Sequence, residues 1–283
     1  MTGQKNSGKN TGINEALKRF GGFVRYFDTT EPLKQLADLV SSNDHRHILA
    51  CCGGGDQALT MLGAVKGKAD LWAIDINPSQ LFVLAGKAAL LKKNDPWPSF
   101  DQIQKAYPGR IAAVKKNIRS LRQMYIYHSA TGKKFLAPAE WGEKYKVVTG
   151  NEMFFLRDSG PYWKKDAPFM ARVRARLGSL QFLRMDIFDS PDIFKPGSLD
   201  LIYLSDIFWP QALAYHQAQL ARLAKVLSPG GRIISFLDEG DDYMGQGISP
   251  GRMLALQARN LNLKIIADQE HGYLVLEKNR RGK

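Results

Sequence analysis

The sequence predicts an α/β fold: a doubly wound, mainly parallel sheet with a C-terminal antiparallel strand pair and a mainly helical insertion. Three observations carry this. From residue 47 onward, short apolar runs of strand length alternate with segments of helical periodicity. A glycine turn inside "HILACCGGGDQAL", residues 47–59, joins the first such strand to the first such helix. Two apolar strands close the chain around "HG", a reversal that implies an antiparallel edge strand.

Each element can be justified in order. The opening "MTGQKNSGKNTG" is polar, has no apolar signal core and reads as a disordered arm. Residues 13–40 read as helical; in "TTEPLKQLADLV" the stripe is Leu33, Leu36, Ala37 and Val40, with Thr30 as cap and Pro32 in the first turn. "RHILAC" is a buried strand, "DQALTMLGAVKG" a helix closed by Gly67, and "ADLWAIDI" a second strand. "NPSQLFVLAGKAALLKK" is a helix with Asn77 as cap and Pro78 in its first position. Its apolar set is Leu81, Leu84, Ala85, Ala88 and Leu91.

Residues 94–177 break the rhythm with prolines, aromatics and many cations, and read as a mainly helical insertion. The alternation resumes with strands in "LQFLRMDIF" and "SLDLIYLSDIF" and a helix in "QALAYHQAQLARLAKVL" ended by "SPGG". Strand "RIISFL", helix "RMLALQARNLNL" and the pair "KIIADQE"/"YLVLEK" complete it. The implied organisation is an N-terminal arm with helices over 1–45, an α/β domain over 46–93 and 178–283, and a basic insertion over 94–177.

The net charge is +13. Lys92 to Arg176 holds 18 Lys/Arg against 7 Asp/Glu, so +11 of that excess lies in and beside the insertion. Such a face attracts nucleic acid, an anionic membrane surface or acidic substrates, or merely solvates helices. Trp97, Tyr107, Tyr125, Tyr127, Trp141, Tyr162 and Trp163 lie among the cations, a mixture suited to a bilayer surface or to RNA. Cys51 and Cys52 are the only cysteines and are adjacent, which rules out a disulfide framework or zinc spacing and implies a reducing, cytoplasmic compartment.

The turn carries the chemistry. Glycines between a strand and a helix let a ligand approach the backbone, beside the free amides of the helix start. Asp75 stands 20 residues after Gly55 at the tip of the second strand, where an acid binds ribose hydroxyls. A dinucleotide and S-adenosylmethionine both fit that arrangement, but the G-x-G-x-x-G pattern of dinucleotide sites is missing. "LSPGGRIISF" resembles the turn before the fifth strand of class I methyltransferase-type, Rossmann-like folds. The final hairpin resembles their sixth and seventh strands. "FLRMDIFD" resembles their adenine-binding segment, with Asp186 and Ile187, and "LDLIYLSDIF" their fourth strand, ending in Ser205. Most such turns begin with an acidic residue; here Ala50 and Cys51 take its place.

"ILACCGGGDQAL" followed by "AIDINPSQL" resembles the S-adenosylmethionine:diacylglycerol 3-amino-3-carboxypropyl transferases of betaine-lipid synthesis. Gly55, Asp56, Gln57, Ala58 and Leu59 match one family motif, with Gln57 where asparagine is usual; Asp75, Ile76, Asn77, Pro78 and Gln80 match the second. "VRYFDTTEP" stands where the family has "Y-x-x-x-W-E-D-P", without the tryptophan. The resemblance implies a donor site of Arg25, Cys52, Gly53, Gly54, Gly55, Asp75, Ile76, Asn77, Asp186, Ile187 and Ser205, with Arg25 on the methionine carboxylate. It implies transfer of the aminocarboxypropyl group to a lipid hydroxyl at the inner face of a membrane. Tyr26 or Asp206 would be the base, though Tyr26 can equally be a packed aromatic and Asp206 a helix cap. Asp241, Asp242 and Tyr243 are weaker acceptor-side candidates. The alternatives are a methyltransferase acting on RNA or a small molecule, and a binding module without catalysis. No metal site is expected.

Overall fold

The computed structural model describes residues 29, 31–75, 78–93, 96–98, 100–106, 125–128, 133–136, 160–205, 207, 213–236, 258, 261–268 and 272–280. Helix α1 (Leu33–Ser41) is followed by β1 (His47–Cys51), α2 (Asp56–Ala64), β2 (Asp70–Asp75), α3 (Pro78–Lys92) and α4 (Phe100–Ala106). Next come β3 (Tyr125–His128), β4 (Lys133–Leu136), a 3-10 turn (Tyr162–Lys165) and α5 (Ala167–Arg176). β5 (Leu180–Arg184), a second 3-10 segment (Ile187–Asp192), β6 (Leu199–Tyr203), α6 (Leu213–Val226), β7 (Leu227–Phe236), β8 (Leu263–Asp268) and β9 (Tyr273–Lys278) complete the chain.

Seven strands form one sheet in the order β5-β2-β1-β6-β7-β9-β8. β5, β2, β1, β6 and β7 are parallel, and β9 runs antiparallel to both β7 and β8. With helices packed on both faces this is the Rossmann-like, class I methyltransferase-type α/β fold. The antiparallel strand is not the edge: β9 lies inside, and β8 forms the border. The reason is burial: Tyr273–Glu277 is buried throughout, whereas Lys264 and Ile266 of β8 are exposed.

The apolar stripes explain the layers. Leu33, Leu36, Ala37 and Val40 of α1 are all buried. The interior of α3, residues 80–91, is buried all round, because the helix lies between the sheet, α4 and α5. The second face holds α6 and the 3-10 segment after β5 against Leu49, Ile74, Ile202 and Ile233.

Several element ends differ from expectation. α1 starts at Leu33, so Pro32 is the flanking residue rather than part of the first turn, and no side chain caps it there; Thr30 lies outside the described residues. α2 stops at Ala64, three residues before Gly67, because Val65 is extended and side chains take over the orphan carbonyls. Arg176 donates to Leu62 O at 2.9 Å and to Gly63 O at 3.2 Å, and Arg172 Nε to Gly63 O at 3.1 Å. Arg174 Nε does the same for α3 at Leu91 O, 3.1 Å. α6 passes straight into β7, which takes in "SPGG". Between α4 and the first 3-10 turn the described part is an antiparallel hairpin, β3 with β4, rather than helix.

Residues 160–177, read with the insertion, pack into the core. Trp163, Phe169, Met170, Val173 and Leu177 join the cluster of α1, α2 and α3. Trp163 Nε1 donates to Thr60 Oγ1 of α2 at 2.8 Å, and its ring meets that of Trp97 edge-on at 5.1 Å. The start and the end of the segment therefore meet against α2 and α3.

Candidate functional site

The parallel strands end on one edge of the sheet. From β1 the chain winds outward through β2 to β5, then returns to β6 and winds the other way, so β1 and β6 flank the switch point where open α/β sheets bind ligands. The turn Cys52–Gly55 stands at that point. Gly53 (φ +48°) and Gly55 (φ +89°) are left-handed, and Gly55 N donates to Cys52 O at 2.8 Å. A Cβ on Gly55 would lie 2.9 Å from Leu84 Cβ of α3, so glycine is required by conformation and by space.

Beneath the turn, α3 supplies its bracing. Gln80 Nε2 donates to Gly53 O at 2.6 Å, and Lys87 Nζ to Gly54 O at 3.0 Å. Lys87 is completely buried, forms an ion pair with Asp56 Oδ1 at 2.6 Å, and lies 5.1 Å from the Trp97 ring centroid. Asp56 Oδ2 accepts from Thr29 N at 3.2 Å. Burial pushes the Asp56 pKa up, against the pull of Lys87. Burial, then the Asp75 charge, also pushes the Cys52 thiol well up; it is a protonated thiol facing Gln80 O at 3.5 Å, not a nucleophile.

Along the same edge the expected acids appear in order. Asp75 ends β2, half-buried, in register with Arg184 of β5. Asp186 follows β5 and caps the 3-10 segment, its Oδ1 accepting from Phe188 N at 2.9 Å; Ile187 beside it is buried. Ser205 follows β6 with φ +55°, a strained conformation for a non-glycine residue, held by Phe236 N and Ser235 Oγ on its carbonyl, each at 2.9 Å.

The structure adds a group that the sequence did not single out. Glu31, just before α1, is buried at the tip of β6. Tyr203 OH and Ser205 Oγ donate to its carboxylate, and Tyr273 OH of β9 joins them at 3.3 Å. The Ser205 hydroxyl is thus engaged with Glu31. Burial, then the charge of Glu31 and its hydrogen bond, push the Tyr273 phenol far above its ordinary value, so it stays a donor.

Of the predicted donor residues, Cys52, Gly53, Gly54, Gly55, Asp75, Asp186, Ile187 and Ser205 border this one edge. Arg25, Tyr26, Ile76, Asn77 and Asp206 lie outside the described residues, as do Asp241, Asp242 and Tyr243. Glu31, Gln80, Lys87, Tyr203 and Tyr273 were missed as site residues. For Lys87 a signal existed, a lone charge inside the apolar run "LFVLAGKAALL". Among the described residues no group of three His, Cys, Asp or Glu side chains can hold a metal ion, and no helix is long and apolar enough to cross a membrane.

No protein-family model matches the chain, and no curated protein sequence does. Solved structures resemble it at low identity. One is an S-adenosylmethionine-dependent O-methyltransferase from Thermotoga maritima, 9% identical over 96% of this chain and 73% of that one, TM-score 0.42. Another is the 1,6-didemethyltoxoflavin-N1-methyltransferase of Burkholderia thailandensis, with its substrate and S-adenosylhomocysteine bound, 11% identical over 87% and 78%, TM-score 0.41. A third is an S-adenosylmethionine-dependent methyltransferase from Aquifex aeolicus, 10% identical over 88% and 90%, TM-score 0.42. The fold assignment stands on the strand order, and likenesses of this size add nothing on donor or acceptor.

Proposed function

We propose that the chain is a group transferase using S-adenosylmethionine as donor, bound across the β1–β6 switch point. One observation carries the reading: a left-handed glycine turn, an acid at the next strand tip and an acid-apolar pair beyond the third line one edge in that order. Asp75 would accept from the ribose hydroxyls, and Ile187 would pack on the adenine while Asp186 meets its amino group. The turn would let the donor approach the backbone at Gly53–Gly55.

A sulfonium activates all three of its carbons, and the nearest nucleophile decides which bond breaks. The acceptor oxygen forms a bond to carbon, the C–S bond breaks, sulfur keeps the electron pair, and the acceptor proton passes to a base. Positioning supplies several kcal/mol of that selection. The motif pair around Gly55 and Asp75, and the small residues Ala50 and Cys51 where an acid is usual, support transfer of the aminocarboxypropyl group. On this reading Arg25 holds the methionine carboxylate, and Tyr26 or Asp206 is the base. A lipid hydroxyl at an anionic surface suits the basic, aromatic segment 94–159.

The sulfur by-product tests the reading. Turnover with lipid extract is expected to release methylthioadenosine. Release of S-adenosylhomocysteine, with methyl label in RNA or a small molecule, would overturn aminocarboxypropyl transfer and leave the donor reading standing.

A further inference from the structure

Ala50 is fully buried at the end of β1, in register with Tyr203 of β6. Paired residues of neighbouring strands face the same side of a sheet, so the place of the missing acid adjoins the Tyr203 side chain. The Tyr203 hydroxyl donates to Glu31. The chain before α1 therefore brings a carboxylate to the seam where β1 supplies none. Hydroxyl donors from Tyr203, Ser205 and Tyr273 orient that carboxylate.

A second acceptor stands next to it. Thr29 Oγ1 accepts from Glu31 N at 3.1 Å and from Gln57 Nε2 at 2.7 Å, tying the two residues together. Gln57 is 3% exposed, and its Oε1 is buried with no hydrogen-bond partner among the described residues. A Cβ on Gly53 would lie 3.7 Å from that oxygen, so the amide faces the turn. An oriented carboxylate and an unsatisfied carbonyl beside one turn match a cationic donor with several N–H groups.

We infer that Glu31, together with Gln57 Oε1, binds the α-ammonium of the donor's methionyl end in place of the acid that the turn lacks. The inference rests on the proposed donor. It makes Glu31 a donor-positioning residue that sets where the aminocarboxypropyl chain lies.

Calorimetric titration of the full chain tests it with three ligands: S-adenosylhomocysteine, its deaminated analogue, and methylthioadenosine, which lacks the whole aminocarboxypropyl chain. Glu31→Gln is expected to weaken S-adenosylhomocysteine by about 10- to 100-fold and to leave the other two within about twofold of wild type. Gln57→Leu is expected to show the same pattern at about 3- to 10-fold. Methylthioadenosine serves as the control for folding, and Glu31→Asp keeps the charge if Glu31→Gln does not fold. Equal weakening of all three ligands, unchanged S-adenosylhomocysteine binding, or lost turnover at unchanged binding would each overturn the inference. Wild-type protein that binds methylthioadenosine but shows no preference for the aminated ligand over the deaminated one would also overturn it. Wild-type protein that binds none of the three would instead remove the donor reading, and this inference with it.

Discussion

The two edges of the sheet hold carboxylates in opposite ways. At the entry edge, Asp200 of β6 accepts from the backbone amides of Arg46 and His47, each at 3.0 Å, and from Ser228 Oγ at 2.9 Å. It is partly exposed and staples the start of β1 to those of β6 and β7. At the exit edge, Asp56 and Glu31 are buried, and among the described residues a lysine, three hydroxyls and one amide donate to them around a turn. The entry edge uses charge to fix backbone. The exit edge keeps charge under and beside the glycine turn, where burial makes each partner expensive to remove.

The strongest attack on this contrast is Lys87→Met. It strands the buried Asp56 charge, and a stability loss of about 3–5 kcal/mol in urea denaturation is expected. The double variant with Asp56→Asn should recover much of it; a loss below about 1 kcal/mol would put the pair on the footing of a surface salt bridge. Next, Gly55→Ala is expected to cost about 2–3 kcal/mol, from backbone strain and the clash with Leu84, and to weaken donor binding. Gly197 at the entry side is also left-handed, at φ +74°, but the nearest atom to its Cβ would be Leu227 O at 4.0 Å. Gly197→Ala should therefore cost about 1 kcal/mol and leave binding alone. Equal effects at the two glycines would erase the distinction.

Asp200→Ala is expected to cost about 1–2 kcal/mol without changing donor affinity. Burial would raise the Asp200 pKa, but the Arg46 amide, the Ser228 hydroxyl and the His47 amide outweigh it and hold it below the ordinary value. A depressed folded value means that its stabilisation is complete above the unfolded pKa of about 4 and is lost as pH falls through the folded one. Acid titration of wild type and Asp200→Ala should thus converge at low pH. The smallest effect is at Cys52, which is buried with a raised pKa. Iodoacetamide at pH 7 should leave it unmodified in the native protein and label it in urea, as peptide mass analysis would show.

Much of the sheet was legible because parallel strands buried on both faces read as short apolar runs, "HILAC" and "LDLIY" among them. The strand-end positions of Asp75 and Asp186 were legible because each follows an apolar run with a fixed spacing or context. Glu31 was not: its partners Tyr203, Ser205 and Tyr273 lie 172, 174 and 242 residues away, and no local pattern encodes such a meeting. Lys87 was hidden for another reason. Helical periodicity assigns a lysine to the solvent face, and here α4, α5 and the Trp97 ring leave α3 no such face. The end of α2 was misplaced because its stop signal is a pair of arginines over 100 residues away, not the nearby Gly67.

The meeting of Trp97 with Trp163, backed by the arginines of α5 on the ends of α2 and α3, has a practical corollary. The two ends of the segment between them are thus held next to each other. Closing a loop whose ends are already pinned costs little more when the loop grows, about 0.6 kcal/mol per doubling of length. The pinned ends are therefore a graft point. Chain beyond α4 can be lengthened or shortened there while the sheet keeps its registration.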